Sequence, residues 1–174
     1  QSMCMCDVFL DKKCLKDGEP WEHGFSAGLV DSQIFNPIMT WHGTDGGSVG
    51  QLLKLDPSQE SSDRADNVLL EYDFGLALAE HKGLKIMPVL AGEVLAPGYG
   101  EFPFAKVSQL SDLPSAKTKE KLKAHCKQHN IPLSEEGEKR SIRGVVQKLL
   151  ENQGVLLWRF GACDIAEDAT AKKI

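Results

Sequence analysis

The sequence predicts an α/β domain built on a short parallel sheet, and three observations carry that expectation. Apolar runs at residues 7–10 (DVFL), 33–40 (QIFNPIMT) and 84–91 (LKIMPVLA) are separated by stretches with helical periodicity. Strand, helix, strand, helix, strand, helix is the order that right-handed crossovers produce, and such crossovers lay their strands parallel. The runs are also continuous in apolar residues rather than alternating, as a sheet covered by helices on both faces requires. Finally, 174 residues with 41% hydrophobic and 26% charged side chains are the length and composition of one ordinary globular domain.

Taken in order, residues 7–10 read as a buried strand cut off by Asp11-Lys12-Lys13, and residues 16–20 (KDGEP) as a loop with turn chemistry. Pro20 stands where a helix can begin, and Trp21, Phe25 and Leu29 form one apolar stripe over residues 21–30. Pro37 inside the next strand, 33–40, predicts an edge or a bulge. Residues 41–65 form a long, glycine-bearing connection of the kind that is often functional. Asp66 is a candidate N-cap for a helix from Asn67 to about His81, stopped by Gly83. The strand 84–91 ends at Gly92, and a Gly/Pro-rich loop follows to about Pro103. A lysine-rich polar helix is expected over 115–130, a linker over 131–137, and a helix over 138–152 with Ile142, Val145, Val146 and Leu149 inward. Residues 155–160 (VLLWRF) read as a last strand or packing segment, giving a domain over 1–160 and a polar tail over 161–174.

Several function classes are disfavoured. A net charge of −5 without a long basic run argues against a nucleic-acid or anionic-membrane footprint. No apolar stretch reaches the roughly 18 residues of a membrane span. The opening residues 1–7 are too short, and lack the basic start, for a signal peptide. The five cysteines, Cys4, Cys6, Cys14, Cys126 and Cys163, are odd in number and match neither a disulfide framework nor a zinc set. They read as reduced thiols, which points to the cytoplasm.

One residue asks for an explanation. On the helix starting at Asn67, Asp73 and Glu80 share one side, which reads as the solvent face, and Glu71 lies roughly 170° away. Its face carries Asn67, Phe74, Gly75 and Leu78, so a carboxylate projects where the helix should pack on the sheet. Gly75, one turn on, removes a side chain beside it and leaves room. A carboxylate in an apolar cleft is costly unless paired or used. A structural ion pair, or a carboxylate favoured by the helix dipole, accounts for it equally well.

Other candidates follow from position. In parallel sheets ligands sit at the carboxyl ends of the strands, here Asp11, Trp41-His42 and Gly92-Glu93. Trp21, at a helix start, fits a core residue or a ligand platform. The five histidines show no metal spacing, and Gly43-x-x-Gly46-Gly47 is not a dinucleotide-binding loop. The lysines of 116–127 read as a solvated helix face.

Three segments together resemble a TIR (Toll/interleukin-1 receptor) domain. Residues 8–22 (VFLDKKCLKDGEPWE) resemble the family's second strand and BB loop, with Asp, Leu, Gly and the aromatic in their usual order. Residues 32–41 resemble the third strand and its polar lead-in, and residues 66–78 with Ile86-Met87-Pro88-Val89-Leu90 resemble the αC helix and fourth strand. The match covers roughly residues 7–155. The family opens with a strand, a loop and a helix that have almost no counterpart before Val8, so the inferred pocket is incomplete.

The resemblance implies a flavodoxin-like parallel sheet flanked by helices. In the enzymatic members, a glutamate on αC cleaves the nicotinamide–ribose bond of NAD⁺, and Glu71 matches it. The implied substrate contacts are Asp11, Gly18, Trp21 and Trp41, with NAD⁺ as substrate and no resident cofactor or metal. The implied products are nicotinamide and ADP-ribose or a cyclic ADP-ribose. The implied partners are other TIR domains, including copies of this chain through the loop 12–19 (Lys12 to Glu19), in cytoplasmic signalling of the innate-immune type. Many family members are instead non-enzymatic adaptors that act by TIR–TIR association.

Overall fold

The structure, a computed structural model, describes residues 21–55, 65–95, 98–152 and 155–156, with backbone alone for residues 21–23, 94–95, 98–99 and 155–156. The expected strand 7–10, the loop 12–19, Asp11, Gly18 and the tail 161–174 lie outside the described residues. What is described is mixed α/β. Helix α1 (Trp21–Asp31) leads to β1 (Ile34–Phe35) and β2 (Ile38–Thr40). The short helix α2 (Gly47–Gly50) and a 3₁₀ turn (Gln51–Lys54) precede α3 (Asn67–Lys82). Then come β3 (Lys85–Ile86), β4 (Val89–Ala91), β5 (Val94–Leu95), β6 (Gly98–Tyr99) and a 3₁₀ turn (Phe104–Gln109). Helices α4 (Ala116–Gln128), α5 (Glu135–Lys139) and α6 (Ile142–Leu150) lead to β7 (Val155–Leu156).

The strands pair in parallel, as the βα alternation predicts. β1 pairs with β3, and β2 pairs with β4, which in turn pairs with β7. The expected strands 33–40 and 84–91 are each broken at their proline. Pro37 and Pro88 lack an N–H, yet Met87 N still donates to Phe35 O and Val89 N to Pro37 O, both at 2.9 Å. So β1 with β2, and β3 with β4, run on as two interrupted strands.

The covering of the sheet departs from expectation. Phe35, Met39, Ile86 and Leu90 are buried, while Ile34, Ile38 and Met87 are exposed, Ile38 at 63%. The strands alternate, so over this region one face is packed and the other is open among the described residues. The Gly/Pro-rich loop after Gly92 also contains structure, the antiparallel hairpin of β5 and β6. The expected helix 138–152 is two helices broken after Lys139, with Ser141 as the new cap accepting from Gly144 N.

Helix α3 is the central element and packs on α1, α4, α6 and β3. Its start is set by Asp66, whose carboxylate accepts from Leu69 N at 2.8 Å. It ends at Gly83, which takes the left-handed conformation (φ 72°) that glycine adopts without strain. Leu69, Leu70, Phe74, Leu76, Ala77 and Leu78 are all buried, so the helix is apolar nearly all round, as a core helix must be. Phe25 of α1 meets Phe74 edge-on at 6.4 Å, which joins the two helices. Ile142, Val145, Val146 and Leu149 of α6 point inward, as their spacing predicts.

Candidate functional site

Glu71 lies in the second turn of α3 and is half-buried. Its neighbours fix which way it faces. Tyr72, next in sequence, reaches the sheet: its hydroxyl lies 3.0 Å from Ile38 O and 3.0 Å from Ser48 Oγ. Gly75, one turn on, lies against β1, where an added Cβ would stand 2.5 Å from the Phe35 ring. Phe74 and Leu78 face the interior. Glu71 therefore sits on the side of α3 turned toward the sheet and α1. The glycine has a different explanation from the expected one, since Gly75 admits the Phe35 ring rather than leaving space for a ligand.

The expected solvent face of α3 holds at Glu80, which is exposed, and fails at Asp73. Asp73 is 1% exposed and belongs to a buried charge cluster. Lys119 Nζ donates to Asp73 Oδ2 at 2.5 Å and to Gly137 O at 2.6 Å, and Arg140 Nη1 donates to Asp73 Oδ1 at 3.0 Å. Arg140 Nη2 also donates to Glu80, which accepts from Ser134 Oγ at 2.9 Å. Asp73 and Glu80 do share a side, but at Asp73 that side lies under α4 and α5 and is neutralised by two cations, while Glu80, near the helix end, is exposed. Of the α4 lysines, Lys117, Lys123 and Lys127 are exposed as the reading of a solvated face expects, and Lys119, 8% exposed, is the exception. Burial pushes the Asp73 carboxyl up and the Lys119 ammonium down, and the contact between them opposes both shifts.

The remaining candidates separate. Trp41 follows β2 at its carboxyl end, yet it is 1% exposed, and its indole meets Phe102 edge-on at 6.4 Å. Trp41 is a core residue in this structure, with Gly50 close to its ring and Lys106 Nζ 5.9 Å from the ring centroid. Trp41 Nε1 and His42 Nδ1 are buried without a hydrogen-bond partner. Trp21 opens α1 as expected, but its side chain lies outside the described residues. Gly92 is buried and Glu93 exposed at the end of β4. Among the described residues no three His, Cys, Asp or Glu side chains are grouped to hold a metal ion. Cys126 is a buried free thiol whose pKa is pushed up to about 11, first by burial and then by the nearby Asp73 charge.

Two features went unread in the sequence. The Asp73–Lys119–Arg140 cluster was signalled by an acid on a helix apolar on every side, which calls for a buried cation. The network joining the hydroxyls of Thr40, Ser48 and Tyr72 to Ile38 O left no sequence signal, because it links residues up to 34 positions apart.

The cavity of about 280 Å³ among Leu29, Ile34, Leu78, Lys82 and Lys85 lies at the opposite, amino end of β1 and β3. It is not where a parallel sheet presents ligands, and it does not include Glu71. Among the described residues no helix is long and apolar enough to cross a membrane. The chain matches no protein-family model, curated protein or solved structure at a significant level.

Proposed function

We propose that this chain is a TIR-domain NAD⁺ glycohydrolase with a flavodoxin-like fold, and that Glu71 is its catalytic carboxylate. The observation that carries this reading is the place of Glu71, half-buried in the second turn of α3 on the side opposite Asp73, toward the sheet. The resemblance of residues 66–78 to the family's αC helix supports the same assignment.

The chemistry needs little else from the protein. The nicotinamide of NAD⁺ is a cationic leaving group, so the bond from ribose C1′ to the ring nitrogen breaks with its electron pair returning to nitrogen. Neutral nicotinamide departs without a general acid. The remaining ribosyl oxocarbenium ion is stabilised by an adjacent carboxylate, which also orients the nucleophile. Water as nucleophile loses a proton and gives ADP-ribose, and attack by the adenine ring gives a cyclic product. We place the protein in the cytoplasm, assembling with other copies through the loop 12–19 and with Asp11 and Gly18 near the substrate.

The test is release of nicotinamide from NAD⁺ by concentrated protein. Glu71→Gln keeps the shape and removes the charge, so turnover should fall by roughly 100-fold or more. Near-native release from a folded Glu71→Gln protein removes Glu71 from the mechanism. The alternative is a non-enzymatic adaptor. It is favoured by the open apolar row of Ile34, Ile38 and Met87, the kind of surface a partner covers. Absence of nicotinamide release from assembled parent protein makes the adaptor the better reading.

A further inference from the structure

Tyr72 is a buried tyrosine, 3% exposed, in a part of the core where phenylalanine would pack without a hydroxyl to satisfy. The outer edge of β2 explains what the hydroxyl does. On the inner edge, Val89 N donates to Pro37 O and Trp41 N to Ala91 O, at 2.9 and 3.1 Å. Ile38 O and Thr40 N point the other way, because successive residues of a strand turn their backbone groups to opposite edges. Ser48 fills both: its Oγ accepts from Thr40 N and donates to Ile38 O, each at 2.8 Å. Its own N–H donates to Thr40 Oγ1 at 2.8 Å. One serine thus takes the hydrogen bonds a neighbouring strand would make, and pins α2 to the sheet.

Ile38 O and Ser48 Oγ already satisfy each other, so Tyr72 is not needed to pair them. What its hydroxyl adds is a bond between α3 and this edge, at the residue next to Glu71. Gly75 against Phe35 makes the second contact of this helix side with the sheet, one turn further on. Between these two contacts α3 has little freedom to rotate or slide, and the direction of Glu71 is set.

We infer that Tyr72 and Ser48 are positioning residues, which hold the Glu71 carboxylate in register with the carboxyl end of β2 for the NAD⁺ cleavage proposed above, on which this inference rests. A displacement of about 1 Å at a reacting group costs up to about 100-fold in rate. Tyr72→Phe, which deletes only the hydroxyl, should therefore lower kcat by about 10-fold or more while KM changes by less than about threefold. Ser48→Ala should act in the same direction.

The experiment is a double-mutant cycle on nicotinamide release, with the parent, Tyr72→Phe, Glu71→Gln and the double variant assayed at matched folded concentration by circular dichroism. If Tyr72 acts through Glu71, Tyr72→Phe causes no further loss once residue 71 is glutamine. Parent-like kcat in Tyr72→Phe overturns the inference. So does a loss of equal factor in both backgrounds, since a purely structural role is indifferent to residue 71. If Tyr72→Phe does not fold, Ser48→Ala, which leaves Tyr72 its bond to Ile38 O, is carried through the same cycle. Parent-like turnover in Glu71→Gln, or an inactive parent, defeats the proposed function and this inference with it. A dead Glu71→Gln beside a parent-like Tyr72→Phe defeats the inference alone.

Discussion

Removing the carboxylate of Asp73 should destabilise the fold more than any other single charge change among the described residues. Asp73→Ala leaves Arg140 Nη1 without its acceptor and Lys119 Nζ with only Gly137 O, and both cations are nearly solvent-free, with side chains 4% and 10% exposed. Breaking a buried pair by deleting one partner costs about 3–5 kcal/mol, because the remaining charge keeps its desolvation penalty. In a domain whose whole stability is about 5–15 kcal/mol, that is a large share. With each kcal/mol worth about 2–4 °C at this chain length, Tm should drop by about 6–20 °C. The assay is urea unfolding followed by far-ultraviolet circular dichroism, with Cm falling and the m-value held. A control replaces all three groups by apolar ones, Asp73→Leu with Lys119→Met and Arg140→Met. It should recover much of the loss, since apolar side chains of similar volume carry no desolvation cost. A loss below about 1 kcal/mol for Asp73→Ala would refute the reasoning and mean that water reaches the cluster.

Three further outcomes are expected. Burial raises the Asp66 carboxyl above its ordinary 3.8, so the folded state holds that proton more tightly than the unfolded chain, and its contribution to stability declines as pH rises from 3.8 through the raised value. Asp66→Asn keeps the cap and should flatten that slope in melts from pH 3 to 7, whereas Asp66→Ala should remove both slope and cap, at a cost of about 1 kcal/mol that shrinks as pH rises; an unchanged slope in the asparagine variant counts against the assignment. Gly75→Ala should destabilise by about 1–3 kcal/mol, because its methyl would lie 2.5 Å from the Phe35 ring in a packed core, and a neutral result would show that the ring can move. Specific nicotinamide release should rise with protein concentration if assembly through the loop 12–19 completes the site, and strictly linear activity across a wide dilution series would remove that requirement.

The cap and stop of α3 were legible because they are local. Asp66 accepts from the backbone three residues on, and Gly83 ends the helix with a positive φ. Pro37 announced its break by the absence of one N–H. Two things were misjudged from local pattern. A continuous apolar run does not say whether both faces of a strand are covered, and Ile34, Ile38 and Met87 turn out exposed. A lysine-rich helix does not say which lysine turns inward, and Lys119 does so only because Asp73 stands 46 positions away. The break between α5 and α6 serves the same cluster, since it places Arg140 against Asp73 and Glu80 at separations of 67 and 60 residues. No period of two or 3.6 residues carries information over such distances.

The same distinction separates the three acids of α3. A helix buried on most sides has few inexpensive places for a carboxylate, and its acids meet that cost differently. Asp73 is neutralised by Lys119 and Arg140, and swapping those three groups together for apolar ones should leave the fold intact, while Glu80 is exposed near the helix end and bonded to Arg140 and Ser134. Glu71 faces the other way, and its direction is fixed by Tyr72 at Ser48 and by Gly75 at Phe35. Those contacts act on the carboxylate through the helix, by fixing its register and rotation. A structural role for Glu71 ties it to folding, so Glu71→Gln would lower Tm along with any activity. A catalytic role ties it to the transition state, so the same change would lower turnover while Tm stays within about 2 °C, as for a loss of about 0.5 kcal/mol. Measuring both quantities on one variant therefore decides between the two readings, and a fall in Tm of the size expected for Asp73→Ala would place Glu71 with the structural acids.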